Sequence, residues 1–137
     1  MSLSLDDRVA LEVLVYRLSV AADARDADAY LQLYTADGVW DGMLGVFEGH
    51  ARLRELIGVL AASEALRGTR HWPCNILVEG DSAAGTATVA HDNLLVQATD
   101  AGPRLHSMSR SQATAVKVDG TWRFDRRRIT AHRAPDA

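Results

Sequence analysis

The 137-residue sequence carries one cysteine, Cys74, which excludes an internal disulfide framework and a cysteine-rich metal site. No run approaches the 18 apolar residues that a membrane span requires, and the start lacks the charged segment and apolar stretch of a secretory signal. A soluble, cytoplasmic protein with no membrane partner is therefore expected. A basic stripe is missing too. The net charge is −3 with both signs interspersed, and the one basic cluster is the triplet Arg126-Arg127-Arg128. That is no footprint for nucleic acid. Repeats, linkers and low-complexity tracts are absent. The length suits one domain over residues 1–137, large enough to bury a core but not two cores.

What is present divides at Gly68. Before it the patterning is helical. Ser4 followed three residues later by Asp7 has the form of a capping box, opening a helix expected to run to about Arg25. Asp26 or Asp28 would cap a second, short helix over 29–35, and Asp37-Gly38 would turn into a short strand at 39–41. A third helix is expected from Ala51 to about Leu66, with Leu53, Leu56, Ile57 and Leu60 on one face and Gly68 as its stop. Beyond Gly68 the period becomes two. Strands are expected at 70–79, 84–97, 104–118 and 121–131, the last pair joined by the hairpin signal Asp119-Gly120. Helices first and antiparallel strands afterwards indicate an α+β fold, with the helices on one face of a curved sheet.

The first helix contains a carboxylate in an unusual place. Val9, Val13, Tyr16 and Val20 are spaced by 4, 3 and 4, a stripe expected to face the core, and Asp23 continues it. An inward carboxylate costs several kcal/mol, in order of magnitude, unless it is paired or hydrogen-bonded. His71, on the strand after Gly68, is the best partner. An inward Asp beside a neutral imidazole forms a general-base pair, which suggests chemistry in a pocket.

Strand parity supports a cavity. Between 105 and 115 one face reads Leu105, Ser107, Ser109, Ser111, Ala113, Ala115, and such small residues leave space above a sheet. The other face carries His106, Met108, Arg110, Gln112, Thr114 and Val116, and is expected to be covered by another subunit. By the same alternation His91 turns away from Asp92 and Leu94 and receives no role. Arg127 shares the parity of Ile129 and opposes Trp122 and Phe124, but spacing alone cannot choose among three consecutive arginines. Asp23, His71 and Asp92 lack the short spacings of a metal site, so no metal is expected.

Asp23, Tyr34-Thr35-Ala36-Asp37-Gly38-Val39-Trp40, Phe47-Glu48-Gly49, Arg70-His71 with Asn75, and Asp119-Gly120-Thr121-Trp122-Arg123-Phe124 together resemble the SnoaL-like branch of the nuclear-transport-factor-2-like superfamily. The resemblance spans roughly 8 to 132. It implies a cone-shaped α+β barrel in which three N-terminal helices pack on a curved, mostly antiparallel sheet. Within the branch the pattern is most similar to the scytalone dehydratase and hexachlorocyclohexane dehydrochlorinase type. That similarity implies that Asp23 orients His71, that His71 removes a proton, and that Arg127 stabilises the departing anion. It places Trp40 and Leu94 on the pocket wall. Ser109, Ser111 and Asp92 fall where the dehydrochlorinase has apolar wall residues, which disfavours a halogenated hydrocarbon; Val20 and Thr69 complete the expected binding set. The two tyrosines with which scytalone dehydratase positions a water have no counterparts at the matching places.

The expected activity is a cofactor-independent lyase or isomerase acting on a small, partly apolar, oxygenated molecule such as a polyketide, aromatic or terpenoid intermediate. This fold hosts several functions, and three rivals stand beside that reading. One is the non-catalytic small subunit of a ring-hydroxylating dioxygenase, and another a small-molecule-binding protein. The third is an epoxide hydrolase or cyclase, the hydrolase needing Asp92 and Arg127 together. The resemblance also implies a homo-oligomer, dimer or trimer.

Overall fold

A computed structural model describes residues 2–135. Helix α1 spans Leu5–Asp23 and is capped by Ser4, whose hydroxyl accepts from the Asp7 amide at 3.1 Å. Asp7 does not reach back to complete a capping box. Its carboxylate instead accepts the Trp122 indole N–H at 2.8 Å and the Lys117 ammonium at 3.0 Å, tying the helix start to the far end of the chain. Hydrogen bonds from Ser82, Trp122 and Lys117 hold that carboxyl well below its ordinary range.

The buried face of α1 is Leu11, Leu14, Val15, Leu18, Ala21 and Ala22. The Val9–Val13–Tyr16–Val20 stripe faces outward, with Val20 69% exposed, so the expected inward orientation is wrong. Two apolar stripes run along this helix, and periodicity cannot tell which of them meets the core. Asp23 reaches the interior from beside Ala22, at the edge of the leucine face.

Helix α2, Ala27–Leu31, is capped by the Asp26 carboxylate. It starts and ends earlier than the sequence suggests, because Tyr34 already belongs to a strand. β1, Tyr34–Gly42, folds back into β2, Gly45–Glu48, a hairpin of which only residues 39–41 were legible as strand. Helix α3 is His50–Ala62, followed by a 3₁₀ turn at Glu64–Leu66 and by Gly68 at φ +73°. The remaining strands are β3 (Thr69–Asp81), β4 (Thr86–Thr99), β5 (Gly102–Val118) and β6 (Thr121–Ala131). Asp119 and Gly120 both have positive φ, as the tight β5–β6 hairpin demands.

The six strands form one sheet in the order β2-β1-β6-β5-β4-β3, antiparallel except for the β1–β6 pair. This is the expected α+β class, with three helices packed on a curved, mostly antiparallel sheet. Leu11, Leu53, Leu56, Tyr34, Val89, Ala115 and Phe124 anchor the core between helices and sheet.

Three bulges decide which side chains face that core. In β3 one extra residue lies between Cys74 and Leu77, where Asn75 adopts φ +52°. In β5 the pairs Leu95↔Ser107 and Val96↔Leu105 leave His106 unopposed. In β6 the pairs Thr114↔Arg126 and Ala115↔Phe124 leave Asp125 as the extra residue. A bulge shifts the two-residue alternation by one. Trp122, Phe124, Arg127 and Ile129 are consequently all buried on one face, and the expected opposition of Arg127 to Trp122 and Phe124 does not occur.

Candidate active site

One cavity of about 300 Å³ opens between α1 and the inner face of the sheet. Leu18, Ser19 and Ala22 of α1 form one wall. β4 supplies His91, Asn93 and Leu95, and β6 supplies Arg127 and Ile129. The tip of the β1–β2 hairpin, Met43 and Leu44, lies at the rim with both side chains about half exposed. Trp40 also lines the cavity and meets Phe47 edge to face, with ring centroids 5.9 Å apart.

His71 lines the same cavity. Its Nδ1 is 2.7 Å from Asp23 Oδ1, and its backbone N–H donates to both Asp23 oxygens at 3.0 and 3.1 Å. One carboxylate thus holds both the ring and the strand that carries it. Asp23 itself is behind the imidazole and does not line the cavity. With Nδ1–H donated to the carboxylate, Nε2 carries the lone pair and is the nitrogen able to accept a proton.

Arg127 is 4% exposed. Its guanidinium donates to the Tyr34 hydroxyl at 3.0 Å, to the Tyr30 hydroxyl at 3.4 Å and to Ser111 Oγ at 3.2 Å, and lies 5.5 Å from the Phe124 ring centroid. The two tyrosine hydroxyls are themselves 2.9 Å apart. Burial pushes the Tyr30 phenol well above its ordinary range, so it stays neutral. Among the described residues no carboxylate is paired with Arg127. A charge buried without a counter-ion is costly and draws an anion or a developing oxyanion toward it.

The other expected site residues divide. Thr69 and Ser109 line the cavity. Ser111 does not; it is fully buried as a partner of Arg127. Val20 is on the outward face of α1 and takes no part. Asp92 and Leu94 belong to the opposite face of β4. Asp92 pairs there with Arg110 at 3.2 Å and accepts from Asn75 at 3.0 Å, bonds that keep its carboxyl below the usual range. Asp92 therefore joins neither His71 nor Arg127, and the paired arrangement required of an epoxide hydrolase is not assembled. No group of three His, Cys, Asp or Glu side chains suited to a metal occurs among the described residues.

His91 and Asn93 were not among the residues expected at the site. Both are buried, at 1% and 6% exposure, and both line the cavity. The signal was available: Ala87 and Val89 start an inward series that continues through His91, Asn93 and Leu95, whereas matching by family position was one residue out of phase. A one-residue slip exchanges the two faces of a strand. His106 likewise lines the cavity, because the bulge turns it from the outer face where simple alternation places it, and Met108 lines it too. Burial, reinforced by the nearby Arg127 charge, pushes His91 down to about 3, so its ring is neutral near pH 7.

Residues 3–128 match the model of the SnoaL-like domain. The chain belongs to that family. No curated protein matches the sequence. Among solved structures, a protein of unknown function with a cystatin-like fold from Nostoc punctiforme is 24% identical, with a TM-score of 0.87 over 98% of this chain and 97% of that one. A candidate scytalone dehydratase of Novosphingobium aromaticivorans is 21% identical, with a TM-score of 0.79 over 97% and 89% of the two chains. The hexachlorocyclohexane dehydrochlorinase LinA-type3 of Novosphingobium barchaimii is 17% identical, with a TM-score of 0.79 over 94% and 88%. At these identities the likeness is one of fold, and the SnoaL-like fold of this chain has dehydratase and dehydrochlorinase types among its neighbours.

Proposed function

We propose that this SnoaL-like protein is a cofactor-independent lyase or isomerase of the dehydratase type. In this reading His71 Nε2 takes a proton from a carbon next to an activating group. Asp23 fixes the ring tautomer and steadies the imidazolium that forms, a role worth roughly 10²–10⁴-fold in rate for the base it serves. Arg127 stabilises the oxyanion or departing hydroxyl from the buried side of the cavity, where its charge has no carboxylate partner among the described residues. The substrate is a small, partly apolar, oxygenated molecule, such as a polyketide, aromatic or terpenoid intermediate, sized to a cavity of about 300 Å³.

The observation that carries this reading is the 2.7 Å contact between Asp23 and a histidine that also lines the cavity. A carrier protein or a non-catalytic subunit has no need of a carboxylate-held imidazole on its cavity wall. The test is proton exchange: cyclic ketones incubated with the protein in heavy water, with deuterium entry at the carbon beside the carbonyl followed by NMR. His71→Ala should abolish exchange while the fold survives, and Asp23→Asn should lose most of it, because the amide can select the wrong tautomer. Exchange undiminished in His71→Ala would remove the mechanism and favour a binding protein.

A further inference from the structure

Helix α1 ends in a Schellman motif, in which the Asp26 amide donates to Ala21 O at 3.0 Å and the Arg25 amide to Ala22 O at 3.1 Å. The left-handed position of that motif is held by Arg25, at φ +54°. Glycine is the usual occupant, because any larger residue is strained there against its own backbone. An arginine kept in that conformation points to a use for its side chain.

The contacts show the use. The half-buried guanidinium donates from one terminal nitrogen to Ala22 O at 2.8 Å. From the other it donates to Leu66 O at 3.3 Å and to Thr69 Oγ1 at 3.4 Å. The Thr69 hydroxyl gives its one proton to Leu66 O at 2.6 Å, so it has none left for a ligand. Gln97 donates to the neighbouring carbonyls of Ala65 and Arg67 at 3.2 and 2.8 Å, which pins the same connector from β4.

Asp23 is the last residue of α1, and Thr69 is the first of β3, two residues before His71. Element ends fray unless their free backbone groups find partners. One guanidinium thus joins the two ends that carry the Asp23–His71 pair. Arg25 and Thr69 also line both the cavity and a surface cleft behind it, where Asp23 lies. Among the described residues no ion pair links Arg25 to Asp23, so the part of Arg25 is geometric and not the neutralisation of that carboxylate.

We infer that Arg25 is a positioning residue, a clamp that holds α1 and β3 in the register at which Asp23 fixes the tautomer of His71. The inference rests on the proposed function for the role of His71 and adds what keeps that histidine in place. Spanning two elements requires a planar fork with several donors, whereas a lysine ammonium brings the same charge to one point.

The test labels the histidines with nitrogen-15 and follows the His71 ring by NMR, its signals identified by their loss in His71→Ala. The wild type should show one fixed tautomer, with a protonated Nδ1 and a bare Nε2. Arg25→Gly suits the backbone of its position and Arg25→Lys keeps the charge, yet neither side chain spans the two ends. In both variants the two nitrogen signals should average toward one another. Deuterium entry into cyclohexanone should fall about 10²-fold in kcat, the cost of a misplacement of roughly 1 Å, with KM changed by less than about threefold. A merely structural residue would lower the melting temperature and leave the ring signature and turnover of the folded protein as they were. That result would overturn the clamp, and so would a lysine variant with wild-type behaviour. If Arg25→Gly does not fold, Arg25→Lys decides alone. No deuterium entry in the wild type, with a ring signature that depends on Arg25, would remove the general base and leave the clamp standing. Deuterium entry that needs His71 but not Arg25 would do the reverse.

Discussion

His91 makes acid stability a direct probe of the cavity wall. In the folded protein its ring is held neutral, with a pKa of about 3 against an ordinary value of 6.5. The unfolded chain therefore binds the proton first as the pH falls, and stability is lost from about pH 6.5 downward until the folded value is reached. At pH 7.5 the ring is neutral in both states and contributes almost nothing. At pH 4.5 the solution lies two units below the pKa of the unfolded ring, which at about 1.4 kcal/mol per unit costs the native state roughly 3 kcal/mol. The lowered carboxyls of Asp7 and Asp92 respond at lower pH, since their unfolded values are near 3.8. The assay is urea unfolding of wild type and His91→Gln at pH 7.5, 6.0 and 4.5. The difference in unfolding free energy between the two proteins should move by roughly 3 kcal/mol toward the variant across that range. A difference independent of pH would show that His91 protonates freely in the folded state, and the argument for a neutral ring in the cavity would fail.

Three further predictions concern separate parts of the molecule. Leu11→Ala should cost about 2–5 kcal/mol in urea unfolding, as expected for a fully buried leucine, whereas Val9→Ser on the outward stripe should stay within about 0.5 kcal/mol; the reverse ranking would restore the inward stripe. Arg127→Leu should leave stability unchanged or raise it by up to about 2 kcal/mol, because it removes a buried charge that has no carboxylate partner among the described residues, yet it should slow proton exchange; a strongly destabilised variant would assign Arg127 to the core. Trp72 is exposed on the outer sheet face in register with Leu94, and we propose that a second copy of the chain covers this face. Light scattering should give a mass above one chain, and Trp72→Lys should lower it; a monomeric wild type would refute the contact.

The sequence was most legible where local chemistry decides. Gly68 and Asp119-Gly120 punctuate the chain at positive φ where expected, and the four long strands fall within a few residues of their expected bounds. The approach of Asp23 to His71 could also be anticipated, although through the wrong stripe of α1. Side-chain facing was harder to read. His91 and His106 were placed outside the pocket, and Asp92 and Leu94 inside it, because facing depends on strand phase, which a single bulged residue or a slip of one alters. Hairpin β1–β2 was obscured because β1 also draws pairing from β6, some 90 positions away in the chain.

That last pairing has a consequence for how the protein is made. β1 has only two neighbours in the sheet, the short β2 and the final strand β6. During synthesis the N-terminal hairpin, with Trp40 paired to Phe47 within it, therefore waits without a sheet to join until almost all of β6 has emerged. Arg127 arrives on that same last strand, bringing the charge to Tyr30 and Tyr34, which were made nearly a hundred residues earlier. The cavity is closed and charged in one late step. A chain ending short of β6 would keep Asp23 and His71 but would hold them beside an open and neutral groove.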